Sequence, residues 1–353
     1  MRKSLRKHWI ALVLIVPIVA VAATTLILEE QEKTALKETI RTYFSEESTA
    51  EARQAAWQTL VGVGALDFQV LLWGLEQTNA IYMMEPADFA TLLSEIKAAG
   101  KGQDALLQSC RAALLTDMSA GKACAMDVLV QHADPWCIPG IRAALMNTDE
   151  KAFVRTRAVL SLGELKAPDA ASDLQVVLTN EKEPLALREA CLASLWHLAP
   201  ESAAQDTERI LKDAAAPHEL FRRAASCASE HRQTPLLTGA LSAATEGRRK
   251  AECVRELLKV GDGAAMIAVQ DLAKAETDTA VVQAILEGVA ATGTAGFEDL
   301  IAKSLASESK PVRLSAIKAA LRVQGTPAIE DAVGKVVNTG STEELSLFDV
   351  VGQ

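Results

Sequence analysis

The sequence predicts an all-α fold: an α-solenoid of about nine helical hairpins, preceded by one N-terminal transmembrane or signal helix. Three observations predict it. Hydrophobic residues make up 49 % of the 353 but aromatic ones only 4 %, and the apolar mass is largely Ala, Leu and Val, which suits closely stacked helices rather than a sandwich. A sequence marker recurs about every 33 residues over most of the chain. Each repeat then divides into two stretches of helical 3-4 periodicity around a short polar turn.

Taken from the N-terminus, residues 1–8 (MRKSLRKH) are a basic flank. Trp9 to Leu28 is uncharged and mostly apolar, matching the ~20 residues a helix needs to cross a hydrocarbon core of ~30 Å. Pro17 within it is tolerated by membrane helices. Glu29, Glu30 and Glu32 end it, and the charge asymmetry places the N-terminus in the cytoplasm. The expectation is a single-pass signal-anchor at the cell membrane with the body exported, into the periplasm of a Gram-negative source. Ala20-Val21-Ala22 also fits a cleavage site, so a cleaved signal peptide, leaving a secreted or periplasmic body, is the alternative. Residues 29–47 read as a juxtamembrane helix joined to the body through Tyr43-Phe44.

Residues 48–340 hold the repeats. VRTRAVLSLGELKAPDAASDLQVVL begins at Val154, and VRLSAIKAALRVQGTPAIEDAVGKVV begins at Val312. Both run from Val-Arg to an Ala three residues later, through a turn with Pro, into a second apolar stretch. Equivalent markers stand at 53, 88, 122, 155, 188, 222, 249, 281 and 313, with steps of 35, 34, 33, 33, 34, 27, 32 and 32. In the repeat at 155, Ala158, Val159, Leu162 and Leu165 form one apolar face and Ala170, Leu174, Val177 and Leu178 the other. A hairpin this small cannot bury its apolar side alone and must stack on its neighbours. The step of 27 predicts a truncated second helix near Gly239 and Gly247, and a kink there. The tail 341–353 (STEELSLFDVVGQ) is expected to cap the last repeat through Leu345, Leu347 and Phe348.

On these residues the chain resembles the HEAT-like repeats of phycobilisome-lyase type over about residues 50–340, most clearly from 120 onward. Arg155, Arg188, Arg222 and Arg313 match the family's arginine. The resemblance implies that this side chain ties one repeat to the next, and that the Arg-marked helices line a concave binding side. It also implies the alternative function, a lyase- or isomerase-like accessory protein related to those lyases.

Charge narrows the partners. The net charge is −10, and Arg2, Lys3, Arg6 and Lys7 leave −14 on everything after them. Nucleic-acid binding rests on basic groups displacing counterions, so no nucleic acid is expected. The sequence also offers no catalytic site, metal or cofactor. Six cysteines (110, 124, 137, 191, 227 and 253) form no C-x-x-C, and they read as small core residues, with Cys124 and Cys137 the pair to test for a disulfide. Deoxyhypusine hydroxylases, a HEAT-like enzyme class, bind two irons through several His-Glu pairs; this chain has one, His218-Glu219. Ser119-Ala120-Gly121-Lys122 matches S-x-x-K without its companion motifs.

The expected role is therefore a non-catalytic scaffold for a protein partner, with membrane attachment through Trp9 to Leu28 and no small-molecule ligand. Its weak candidate binding residues are Trp136, in Asp134-Pro135-Trp136 at a helix start, and the basic cluster Arg248, Arg249 and Lys250. Trp57, Trp73, Trp136 and Trp196 all read more readily as core than as hot spots, with Trp136 the first to test for binding.

Overall fold

In the computed structural model the structure describes residues 30–84, 86–99, 103–323 and 327–339. Trp9 to Leu28 and the tail 341–353 lie outside these described residues. Among the described residues every regular element is a helix, and no helix is long and apolar enough to cross a membrane. A first helix, α1, covers 30–44. Eighteen more follow, the number that nine hairpins require. Local chemistry sets many of their ends. Thr49, Asp67, Asp262 and Asp278 accept backbone N–H groups of the helices they precede, and Gly261 and Gly293 close theirs at φ 64 and 70.

The chain forms two compact units, the first ending at Leu165 and the second beginning at Lys166. In the first unit α1 is followed by the hairpins α2 (Ala50–Leu66)/α3 (Phe68–Gln77), α4 (Pro86–Ala99)/α5 (Gln103–Ala113) and α6 (Ser119–Gln131)/α7 (Ile138–Met146), then α8 (Ala152–Glu164). α2 packs on α4 and α6 on α8 in one layer; α3 packs on α5 in the other. α1 joins through Leu36 and Ile40, both buried against Gly74, where a Cβ would stand 2.7 Å from Leu36 Cδ2. Tyr43 adds a ring contact to Trp57, 5.1 Å between centroids.

The second unit opens with α9 (Ala171–Thr179). Five hairpins follow: α10 (Leu185–Leu198)/α11 (Pro200–Lys212), α12 (His218–Glu230)/α13 (Thr234–Ala243), α14 (Gly247–Val260)/α15 (Gly263–Ala273), α16 (Thr279–Thr292)/α17 (Glu298–Leu305) and α18 (Lys310–Arg322)/α19 (Pro327–Thr339). The first helices α10, α12, α14, α16 and α18 pack in chain order as one layer. α11, α13 and α15 form the second, with α17 on α19. Each unit is thus a two-layered stack of helical hairpins, an α-solenoid.

The backbone fixes the repeat register more sharply than the sequence does. In each first helix from α6 onward the residue four beyond the N-cap donates its N–H to the N-cap carbonyl, and these residues are Lys122, Arg155, Arg188, Phe221, Lys250, Val282 and Arg313. The markers 222, 249 and 281 were each one residue out of this register. The corrected steps from 122 are 33, 33, 33, 29, 32 and 31, so the irregular step is 29 rather than 27. α13, at 10 residues, is longer than α9 at 9 and α17 at 8, so it is not truncated. Much of the shortening lies in the turn 244–246, three residues where 213–217 and 274–278 have five. The layers run through this point: α12 packs on both α10 and α14, and α13 on both α11 and α15.

Candidate protein-binding surface

The Trp136 segment is built from the ends of α5 and α6. After α6 the chain turns at Ala133 (φ 48), and Asp134 N–H donates to Leu129 O at 3.0 Å. The Asp134 carboxylate is buried and receives Arg111 of α5 in bidentate form, Nε at 2.6 Å and NH2 at 2.9 Å, the strongest geometry available to an ion pair. That hydrogen bond raises the Arg111 guanidinium above its usual range. Asp134 also accepts the Trp136 N–H at 3.3 Å, and its carbonyl accepts the Cys137 thiol at 2.8 Å. One buried carboxylate thus fixes the short 3-10 turn Pro135–Cys137 to α5. Leu114, at the end of α5, lies against Gly140 of α7.

On this pedestal Trp136 is 77 % exposed, and Leu115, beside Leu114, is 81 % exposed. The exposure of Trp136 overturns its reading as core, whereas the other three candidate tryptophans are engaged. Trp57 Nε1 donates to Glu95 at 2.9 Å, Trp73 lies beneath Lys33 and Lys37, and Trp196 is buried with Nε1 on Thr207 at 3.1 Å. The repeats supply an internal control for Trp136. Pro168-Asp169-Ala170 and Pro135-Trp136-Cys137 form matching 3-10 turns, with the last residue buried in each. Pro200-Glu201 begins α11 in the same way. Where its counterparts place the exposed carboxylates Asp169 and Glu201, this hairpin exposes an indole. Packing does not require it there.

The basic cluster does not form one patch, which corrects the expectation for Arg249. Arg249 is buried: its guanidinium donates to Asp213 O, Ala214 O and Ala216 O at 2.7, 3.0 and 2.7 Å. Lys250 stands 3.7 Å from Glu276. Arg248 is the exposed member. The tying role itself is seen at Arg155 and Arg188, whose Nε atoms donate to Leu145 O and Leu178 O at 2.8 and 2.9 Å, and at Arg313, which reaches Ser307 O and Glu308 O. Arg222, expected to do the same, is exposed and lies one residue past the register position. The signal that could have shown this was Pro217, standing four residues before Phe221 as Pro184 stands before Arg188.

Among the described residues no three His, Cys, Asp or Glu side chains gather as a metal site would require. All six cysteines are free thiols, Cys124 and Cys137 included. Ser119 and Lys122 both bond the Glu150 carboxylate, a buried structural knot. His218 lies beside Phe221.

Comparison with solved structures supports this fold. No protein-family model matches the sequence, and no curated protein matches it. The structure of Kap95p with RanGDP matches at a TM-score of 0.53 with 10 % identity, covering 88 % of this chain and 49 % of that one. Human deoxyhypusine hydroxylase is similar at a TM-score of 0.30 and 16 % identity, over 84 % of this chain and 98 % of that one. The CpcE–CpcF complex of phycocyanin lyase from Nostoc is similar at 0.36 and 18 %, over 67 % and 95 %. The Kap95p match shows the same kind of helical-repeat fold.

Proposed function

We propose that this chain is a non-catalytic scaffold that binds a protein partner outside the cytoplasm, tethered to the membrane through Trp9 to Leu28. The carrying observation is Trp136, an exposed indole held rigidly by Asp134 and Arg111 at a position where neighbouring hairpins place carboxylates. Tryptophan is among the residues that dominate binding energy at protein interfaces, and a rigid mount lowers the entropy lost on docking. Kap95p, whose fold the chain shares, is seen with RanGDP, which supports a protein as the partner. The unbroken apolar run before Glu29 supports the tether, and the basic flank before it supports export of the body.

The test is crosslinking in native membranes followed by mass spectrometry, comparing the native chain with Trp136→Asp, the residue its neighbour carries. One stoichiometric partner, lost or weakened about 30-fold or more in the variant, is the expected result for a binding hot spot. Turnover of a small molecule by the isolated body, with no partner recovered, would overturn the reading. For the tether, the intact mass of the membrane-extracted chain should include residues 1–28; a start near Ala23 removes it.

A further inference from the structure

A crevice of about 440 Å³ opens in the second unit between the hairpin α16/α17 and the start of α18, a volume in the range that ligand sites occupy. Its floor is Val282, Leu300 and Val312, and Lys303 and Ser304 of α17 also line it. The second helices of four other hairpins end on a buried apolar pair: Ala144-Leu145, Val177-Leu178, Ile210-Leu211 and Ala240-Leu241. α17 ends on Ser304-Leu305, with Ser304 only 4 % exposed. Its hydroxyl makes no hydrogen bond among the described residues, and the oxygen itself is not sealed from solvent. The little surface Ser304 retains faces this crevice.

Two further donors belong to residues that line it, Lys303 and Val312. The N–H groups of Val154 and Leu187, at the third position of α8 and α10, each bond the N-cap carbonyl at 3.0 Å. In α18 the Val312 N–H closes no such bond, as those of Leu220 in α12 and Arg249 in α14 also do not, and the N-cap Ser309 makes no side-chain cap. Uncapped first-turn amides favour an acceptor carrying negative charge. Lys303 is exposed and pairs with no carboxylate among the described residues. The one acid lining the crevice, Glu276, is already committed to the N–H groups of Thr277 and Asp278, both at 2.8 Å, and to Lys250.

We propose that this crevice binds an extended acidic–apolar peptide segment of the protein partner. An apolar side chain rests on Val282, Leu300 and Val312. The neighbouring carboxylate meets Lys303, the Ser304 hydroxyl and the Val312 N–H, with the exposed hydroxyls of Thr277 and Thr279 beside them. The inference rests on the protein-binding reading but names a second surface, separate from Trp136.

The test is fluorescence anisotropy on the full chain with three labelled hexapeptides alternating Leu with Glu, Gln or Lys. The Leu/Glu peptide should bind at least 10-fold more tightly than the other two. Lys303→Gln should remove that preference, and Ser304→Ala, which installs the residue found at Ala144 and Ala240, should weaken binding about 5-fold while circular dichroism stays unchanged. Equal binding of all three peptides, binding of none, or indifference to both substitutions overturns the proposal. So does full displacement by inorganic phosphate at equimolar concentration, which marks a simple anion site. A partner captured through Trp136 without peptide binding here defeats this inference alone; loss of the partner altogether defeats the scaffold reading.

Discussion

The guanidinium of Arg249 stands 4.9 Å from the centre of the Phe221 ring and donates to three carbonyls of the turn just before Phe221's own helix. In α8, α10 and α18 the fourth residue is an arginine that reaches back to the end of the preceding hairpin. In α12 that position is Phe221, which cannot cap a carbonyl. The next helix supplies the missing cation from its third position. The 29-residue step, four shorter than those before it, accompanies this exchange.

Substitution of Arg249 by Ala should therefore destabilise the second unit, by about 3 kcal/mol on the usual scale of hydrogen bonds from charged donors. Arg249→Lys should recover little, because one ammonium cannot fork to three carbonyls and stack on a ring. Arg222→Ala, at the exposed position, should change stability by less than about 0.5 kcal/mol. Urea unfolding followed by circular dichroism separates the three. A large loss at Arg222 with none at Arg249 would mean the register read from the backbone is mistaken.

The fold class and the repeat count were legible because a hairpin period of about 33 residues leaves its imprint in apolar spacing. The register inside α12, α14 and α16 was not, because an N-cap is a backbone event. Phe221-Arg222 and Arg249-Lys250 each offer two adjacent side chains for one slot; Pro217 points to Phe221 in the first pair, whereas in the second only the bond to Glu246 O chooses. Trp136 could be marked as a candidate from its place at a helix start. Its exposure could not, since it depends on the buried pairing of Asp134 with Arg111, 23 residues away. Ser304 carried no sequence signal, as a serine at a helix end is ordinary until the neighbouring hairpins show the site to be apolar.

Lys122 and Glu150 form a buried ion pair in the first unit, with Ser119 as a second donor to the same carboxylate. Burial pushes the Glu150 carboxyl up, but the bonds from Lys122, Ser119 and the Lys151 N–H together hold it below its usual 4.5. A depressed carboxyl contributes stability that is full above its unfolded value and lost as pH falls through the folded one. The first unit should then lose stability as pH falls below about 4.5, and Glu150→Gln should flatten that dependence. At neutral pH the same variant leaves Lys122 buried without its counter-charge, at a cost of roughly 3–5 kcal/mol. Equal pH slopes for the native chain and the variant would contradict this.

Burial also governs the cysteines. It pushes the Cys110, Cys124 and Cys253 thiols up to about 12 and those of Cys137 and Cys227 up to about 11. Since the thiolate is the reactive form, these five should resist a colorimetric disulfide reagent at pH 8 in the native protein. All six should react once guanidinium unfolds the chain. Rapid native labelling of Cys124 with Cys137 protected would place a real opening at α6.

His231 closes α12 and stacks on Trp196 of α10, 4.5 Å between ring centres with the planes 10° apart, while His197 lies 6.0 Å away. Burial and then the charge of His197 hold the His231 imidazole below its usual 6.5, with Glu230 opposing. A depressed base resists in the folded state a proton that the unfolded chain accepts, so stability should fall as pH drops below about 6.5 and level off below the folded value. Protonation puts an imidazolium against the indole, which quenches its emission. The Trp196 contribution to fluorescence, isolated by difference from Trp196→Phe, should therefore decline with a midpoint under 6.5. His231→Gln should remove the transition, and His197→Gln should move it upward by taking away a like charge. A midpoint above 6.5, or no response to His197, would show that the stacked pair is not set by burial and its histidine neighbour.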